Sequence, residues 1–207
     1  MLHLFGSLRR IRTRDGRPRR AAVPMVYSRL RRPMSRVPVP LYTAEQIRNR
    51  VAELAISLDG RFPAGATPHF VAVLSGSFMF LADLVRAMPR PVTIDFVRMQ
   101  SYGSGSTTSG TPRLLHGPSS DLHDRHIVIV EDIVDTGLTL QTLRQNLIAA
   151  RPRSLDTVTL LDKPARRRTD VPVDLVGFRI PNRFVVGYGL DHNEEHRHLP
   201  YLAVIGA

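Results

Sequence analysis

Carboxylates and small polar residues crowd one stretch of the chain, Val128-Ile129-Val130-Glu131-Asp132-Ile133-Val134-Asp135-Thr136-Gly137-Leu138-Thr139. An apolar run precedes two adjacent acids, and a small polar turn then opens a helix. That order reads as a buried strand with carboxylates at its carboxyl end, where open parallel sheets bind ligands. A helix N-terminus offers unpaired N–H groups and the positive end of a dipole, which together take an anion. Thr136, Gly137 and Thr139 supply backbone and hydroxyl donors for one phosphate. Glu131 and Asp132 cannot serve that phosphate, because like charges repel; they suit neutral hydroxyls or a divalent cation. A phosphate, a diol and a metal together describe a phosphorylated ribose. The plainer alternative makes these acids ordinary helix-start residues, since Asp and Thr favour N-caps. It gives no reason for Glu131 and Asp132 directly after Ile127–Val130.

The flanking pattern supplies elements to hold such a turn. Thr43-Ala44-Glu45-Gln46 has the form of a capping box, and Ile47, Val51, Leu54, Ala55 and Leu58 follow at helical spacing. Phe70–Leu74 and His126–Val130 are short continuous apolar runs, as in strands covered on both faces. Leu81, Leu84, Val85 and Met88 mark a second helix, and Leu140, Leu143 and Leu147 a third that begins after Gly137. Pro91–Val97, Leu155–Leu161, Val173–Phe178, Phe184–Leu190 and Tyr201–Ile205 read as further strands, whereas Ser101–Gly110 is a polar loop rich in Gly, Ser and Thr. Strands alternating with helices predict an α/β domain around a mostly parallel sheet.

At 207 residues the chain suits one domain with a full core. It has no cysteine, which excludes disulfides, thiolate metal sites and a cysteine nucleophile. No run approaches 18 apolar residues, so no transmembrane helix is expected. The net charge of +11 suggests nucleic acid until it is mapped. Residues 1–33 hold ten arginines and the single acid Asp15, a charge of +9, which leaves +2 for residues 34–207. Residues 1–40 are therefore expected to be a disordered, Arg-rich leader ahead of a domain over 41–207. Three readings of the leader stay open: a nucleic-acid or anionic-surface arm, a transit peptide, or an over-called start with translation beginning near Met34.

The Val128–Thr139 stretch resembles the phosphoribosyl pyrophosphate (PRPP) signature of type I phosphoribosyltransferases. The resemblance is to the hypoxanthine/guanine branch, especially its bacterial members, and it covers roughly residues 41–205. Leu74-Ser75-Gly76-Ser77-Phe78-Met79-Phe80, Ser101-Tyr102-Gly103-Ser104-Gly105, Leu161-Asp162-Lys163-Pro164, Ile180–Asp191 and Arg197-His198-Leu199-Pro200-Tyr201 match in the family's order. The resemblance implies the family's fold, a mostly parallel sheet flanked by helices with a small hood from the C-terminal segment. It also implies Mg²⁺ dependence, PRPP and a 6-oxopurine base as substrates, a homodimer or homotetramer, a cytoplasmic location, and no membrane or nucleic-acid partner.

Carried onto matching positions, Glu131, Asp132 and Thr136–Leu140 bind the ribose and its 5′-phosphate, and Asp135 is the acid–base group at the purine imidazole ring. Ser75, Gly76 and Arg197 meet pyrophosphate. The resemblance implies a cis or flipped peptide at Leu74–Ser75 in a ligand-bound state. Family members usually carry Lys or Arg where this chain has Ser75, so one charge is missing there. Lys163 donates to the 6-oxo oxygen, Phe184 stacks on the base, the Val185 backbone reads its edge, and Asp191 lies near the purine 2-position. Glu131, Asp132 and Asp191 form the metal environment, and Ser101 and Tyr102 belong to a lid. Lys163 also stands out unaided, being the only lysine beside 28 arginines; a compact ammonium is kept where a planar fork would not serve.

Two further patterns compete. Gly103–Gly110 looks phosphate-binding but has neither Rossmann nor Walker spacing. His192-Asn193-Glu194-Glu195-His196 fits the zinc pattern H-x-x-E-H, which requires a helix, and His192 replaces a tyrosine common in the family. Among functions, a PRPP-binding RNA regulator and a transferase for another base, such as xanthine, remain as alternatives.

Overall fold

A computed structural model describes residues 38–100 and 112–206, which lie within one compact unit, Arg36–Ala207. Two sheets organise it. The larger has six strands in the order β4 (Arg113–His116), β3 (Thr93–Gln100), β2 (His69–Leu74), β5 (His126–Val134), β6 (Ser154–Asp162) and β7 (Leu175–Arg179). All neighbours are parallel except β3 and β4. The smaller sheet is antiparallel, with β1 (Val39–Tyr42), β9 (Leu202–Val204) and β8 (Val185–Val186) in the order β1-β9-β8.

Helix α1 (Ala44–Asp59) begins where its capping box predicts. Thr43 Oγ1 accepts from Gln46 N at 3.2 Å, and Gln46 Oε1 accepts from Thr43 N at 2.8 Å. Ile47, Val51, Leu54, Ala55 and Leu58 are all buried on its inner stripe. The strand alternation divides the core in two. Phe70, Ala72, Val128 and Val130 pack with α1 and α2 (Phe78–Ala87), while Val71, Val73, Ile127 and Ile129 pack with α3 (Leu138–Ala149). Both faces are covered, which is why these strands read as unbroken apolar runs.

The chain leaves β2 toward β3 on one side and leaves β5 toward β6 on the other. The winding therefore reverses between β2 and β5, and a crevice opens beyond their carboxyl ends at such a point.

Four sequence expectations change. Val39 and Pro40, assigned above to the leader, pair with Val204 and Ala203 in the hood sheet. Proline is tolerated there because β1 is an edge strand. Strand β5 continues past the acids to Val134, with Glu131 opposite Thr159 and Val134 opposite Asp162. Strand β3 starts at Thr93, after the prolines. The strand expected over Phe184–Leu190 holds only at Val185–Val186, because Gly187, Tyr188 and Gly189 all adopt positive φ. The Arg-rich leader through Val37 and the lid residues Ser101 and Tyr102 lie outside the described residues.

Candidate active site

At the reversal point, β2 and β5 each end in a loop, and the two ends touch through Gly76 and Asp132. A Cβ built on Gly76 would lie 1.5 Å from Asp132 Oδ2 and 2.5 Å from its Cγ. Only a residue without a side chain lets the loop after β2 approach that carboxylate so closely. The Leu74–Ser75 peptide beside it is cis.

On the other side of Asp132, the strand gives way to the turn Asp135–Gly137. Gly137 has φ 83° and caps α3, and a Cβ there would meet Arg167, Val171 and Thr169 at 3.0–3.1 Å. The first helical bond runs from Gln141 N to Gly137 O at 2.9 Å. The N–H groups of Leu138, Thr139 and Leu140 therefore precede the helical ladder and face the turn. The Leu138 N–H reaches Thr136 Oγ1 at 3.4 Å. The Leu140 side chain is buried in the core, so its backbone is the part available to a ligand.

A crevice of about 440 Å³ joins this turn to the ends of the neighbouring elements. It is lined by Ser75 and Gly76 after β2, by Glu131, Asp132, Asp135 and Thr139 around the β5–α3 turn, and by Lys163 after β6. Phe184, Val185, Asp191 and Arg197 close it from the C-terminal segment. A small adjoining hollow of about 80 Å³ is lined by Thr136, Gly137, Thr139 and Leu140 together with Glu131 and Asp135. The sequence-derived residues thus converge, apart from Leu138, which lines neither space, and the two lid positions outside the described residues.

Electrostatics in the crevice are strained by burial. Desolvation, helped by the neighbouring Asp132 charge, holds the Glu131 carboxyl well above the usual carboxylate range. Desolvation also pushes Asp132 up to about 6, against the pull of the Ile133 N–H and the Arg197 charge. Lys163 is buried, and that burial lowers its ammonium pKa although Asp135 opposes the shift. Arg197 pairs with Asp191 at 2.7 Å and donates to Gly189 O at 2.6 Å. Phe184 is 51% exposed, with its ring edge-on to His192 at 5.2 Å. A large aromatic face left open at a crevice suits stacking by a planar ligand.

Among the described residues no three His, Cys, Asp or Glu side chains gather as a metal cage. Glu131, Asp132 and Asp191 therefore do not form a ready-made three-carboxylate site. Crevice carboxylates still fit Mg²⁺, which keeps waters and binds through one or two carboxylates plus substrate oxygens. The His192–His196 segment is a turn closed by reciprocal bonds between His192 and Glu195, not a helix, and it lacks the geometry the zinc pattern needs.

Sequence reasoning missed several lining residues, among them Met99, Ile133 and Leu190. It also missed Arg166, which pairs with Asp135 at 3.0 Å. The run Arg166-Arg167-Arg168 after the only lysine was the available signal.

The phosphoribosyl transferase domain model matches residues 41–193. A hypoxanthine phosphoribosyltransferase of Salmonella typhimurium is 45% identical over 161 residues, covering 77% of this chain and 90% of that relative. A hypoxanthine-guanine phosphoribosyltransferase of Mycobacterium bovis is 45% identical over 170 residues, covering 80% and 84%. Among solved structures, a hypoxanthine-guanine phosphoribosyltransferase of Bacillus anthracis superimposes with a TM-score of 0.76 at 41% identity, covering 81% of this chain and 98% of that one. With a crevice built at the sheet's reversal point and a domain match running through it, the chain belongs to the phosphoribosyltransferase family.

Proposed function

We propose that this chain transfers the 5-phosphoribosyl group of PRPP to hypoxanthine or guanine, giving IMP or GMP and pyrophosphate in purine salvage. One observation carries the reading. The base-site residues Lys163, Phe184 and Val185 line the same crevice as Asp135 and Thr139 of the phosphate turn and Ser75, Gly76 and Arg197. The relatives named above favour the same two bases.

Thr136, Gly137, Thr139 and the leading N–H groups of α3 hold the 5′-phosphate. Glu131 and Asp132 accept from the ribose hydroxyls. Ser75, Gly76 and Arg197 receive the pyrophosphate, and Ser75 contributes no charge there. Lys163 donates to the 6-oxo oxygen while Phe184 stacks on the ring and the Val185 backbone reads its edge. The bond from C1′ to pyrophosphate breaks with its electrons leaving on oxygen, and the bond from purine N9 to C1′ forms. The imidazole-ring proton of the base passes to Asp135, a step worth about 10²–10⁴-fold. Asp191, Glu131 and Asp132 would hold Mg²⁺, which when bound would neutralise charge on the departing pyrophosphate. Fixing both reactants in one crevice supplies much of the remaining rate. The same reading carries assembly as a dimer or tetramer.

The RNA-regulator alternative leaves Lys163 and Phe184 in the crevice without a use. Pyrophosphate release with PRPP, Mg²⁺ and each of hypoxanthine, guanine and xanthine tests the proposal. Release is expected with hypoxanthine or guanine; release with neither contradicts it.

A further inference from the structure

Arg166 ends the 3₁₀ turn Pro164–Arg166, and its Nε donates to Asp135 Oδ1 at 3.0 Å. The backbones on both sides of this pair are fixed to each other. The Lys163 N–H donates to Val134 O at 3.0 Å, and the Arg168 N–H donates to Thr136 O at 2.9 Å. Arg167 spans the same seam. Its guanidinium reaches Asp135 O at 3.4 Å and pairs with Asp162, while its Cδ fills the space a side chain at Gly137 would need. An ordinary surface ion pair loses much of its value in ordering two free side chains. Here backbone bonds hold both ends in place beforehand.

An Asp carboxylate rotates about its last torsion, and either oxygen can face either way. With Oδ1 held by Arg166, Oδ2 is the oxygen left for the crevice that Asp135 lines. We infer that Arg166 is a positioning residue that fixes the Asp135 carboxylate so that Oδ2 meets the imidazole edge of the purine. Arg166 touches neither the reacting atoms nor the phosphate in this role; it acts through Asp135. The inference rests on the reading of Asp135 as the acid–base group.

A cycle of R166Q, R166K and D135N in the pyrophosphate-release assay tests it. R166Q is expected to lower kcat about fivefold, the scale of a half-exposed charge-assisted pair, with KM for PRPP within about twofold of wild type. R166K, which keeps the charge, is expected to recover most of the loss. On the D135N background R166Q is expected to change kcat by less than about twofold, because the group it positions is gone. An unchanged kcat in folded R166Q, the same loss with and without Asp135, or a rise in the PRPP KM alone would each overturn the inference. D135N turning over at the wild-type rate would instead overturn the acid–base reading beneath it.

Discussion

A methyl group added at Gly76 meets a carboxylate. Its Cβ would sit 1.5 Å from Asp132 Oδ2, far inside any allowed contact, and the backbone of the loop is fixed by the strand before it and the helix after it. Gly76 does not adopt positive φ, so alanine adds no backbone strain and tests the close approach alone. The Asp132 side chain must swing away, giving up the 2.8 Å bond its Oδ1 accepts from the Ile133 N–H. It then cannot face the ribose. A hydrogen bond to a charged group is worth about 1.5–3 kcal/mol, so losing two to the ribose hydroxyls removes about 3–6 kcal/mol. Gly76→Ala should therefore lower kcat/KM for PRPP about 10²- to 10⁴-fold. Pyrophosphate release at varied PRPP reads the loss, and thermal melting confirms that the protein still folds. Gly60→Ala is the control, because its Cβ would lie 3.8 Å from the nearest atom, Ser57 O, at a helical φ of −63°. A folded Gly76→Ala variant within about threefold of wild type would refute the idea that this contact positions Asp132.

Phe184→Ala should raise the KM for the base about 5- to 100-fold, the worth of one aromatic stack, and leave the PRPP KM alone; equal changes in both would contradict a stacking role. Glu131 makes stability depend on pH, because its folded carboxyl keeps a proton that the unfolded chain releases near pH 4.3–4.5. Stability from this group is complete below that value and is lost as pH rises toward the folded pKa, by at most about 1.4 kcal/mol per pH unit. Glu131→Gln removes the titration, so urea unfolding of the ligand-free proteins should show the variant gaining on wild type as pH rises above the unfolded carboxyl range; parallel profiles would count against the buried carboxyl.

Local patterns made much of this fold legible. The capping box at Thr43 located α1, and unbroken apolar runs located β2 and the start of β5, because those signals lie within one element. The acids of β5 pointed to the crevice for the same reason. Strand β1 was hidden by Pro38 and Pro40, whose edge-strand tolerance depends on a partner at the far end of the chain. Strand β8 was over-extended because left-handed backbone at Gly187–Gly189 does not show in an apolar pattern. The Gly76–Asp132 approach and the Arg166–Asp135 pair join distant stretches, so no local period carries them. Lys163 was legible twice over, from the Leu161–Pro164 motif and from its rarity in composition.

Calorimetric titration with PRPP and Mg²⁺, run on wild type and on Asp132→Asn, tests most directly whether the end of β5 grips a ribose phosphate. Saturable binding by wild type, weakened about tenfold or more by the variant, is predicted. No binding by wild type, or equal affinity in both, would contradict it.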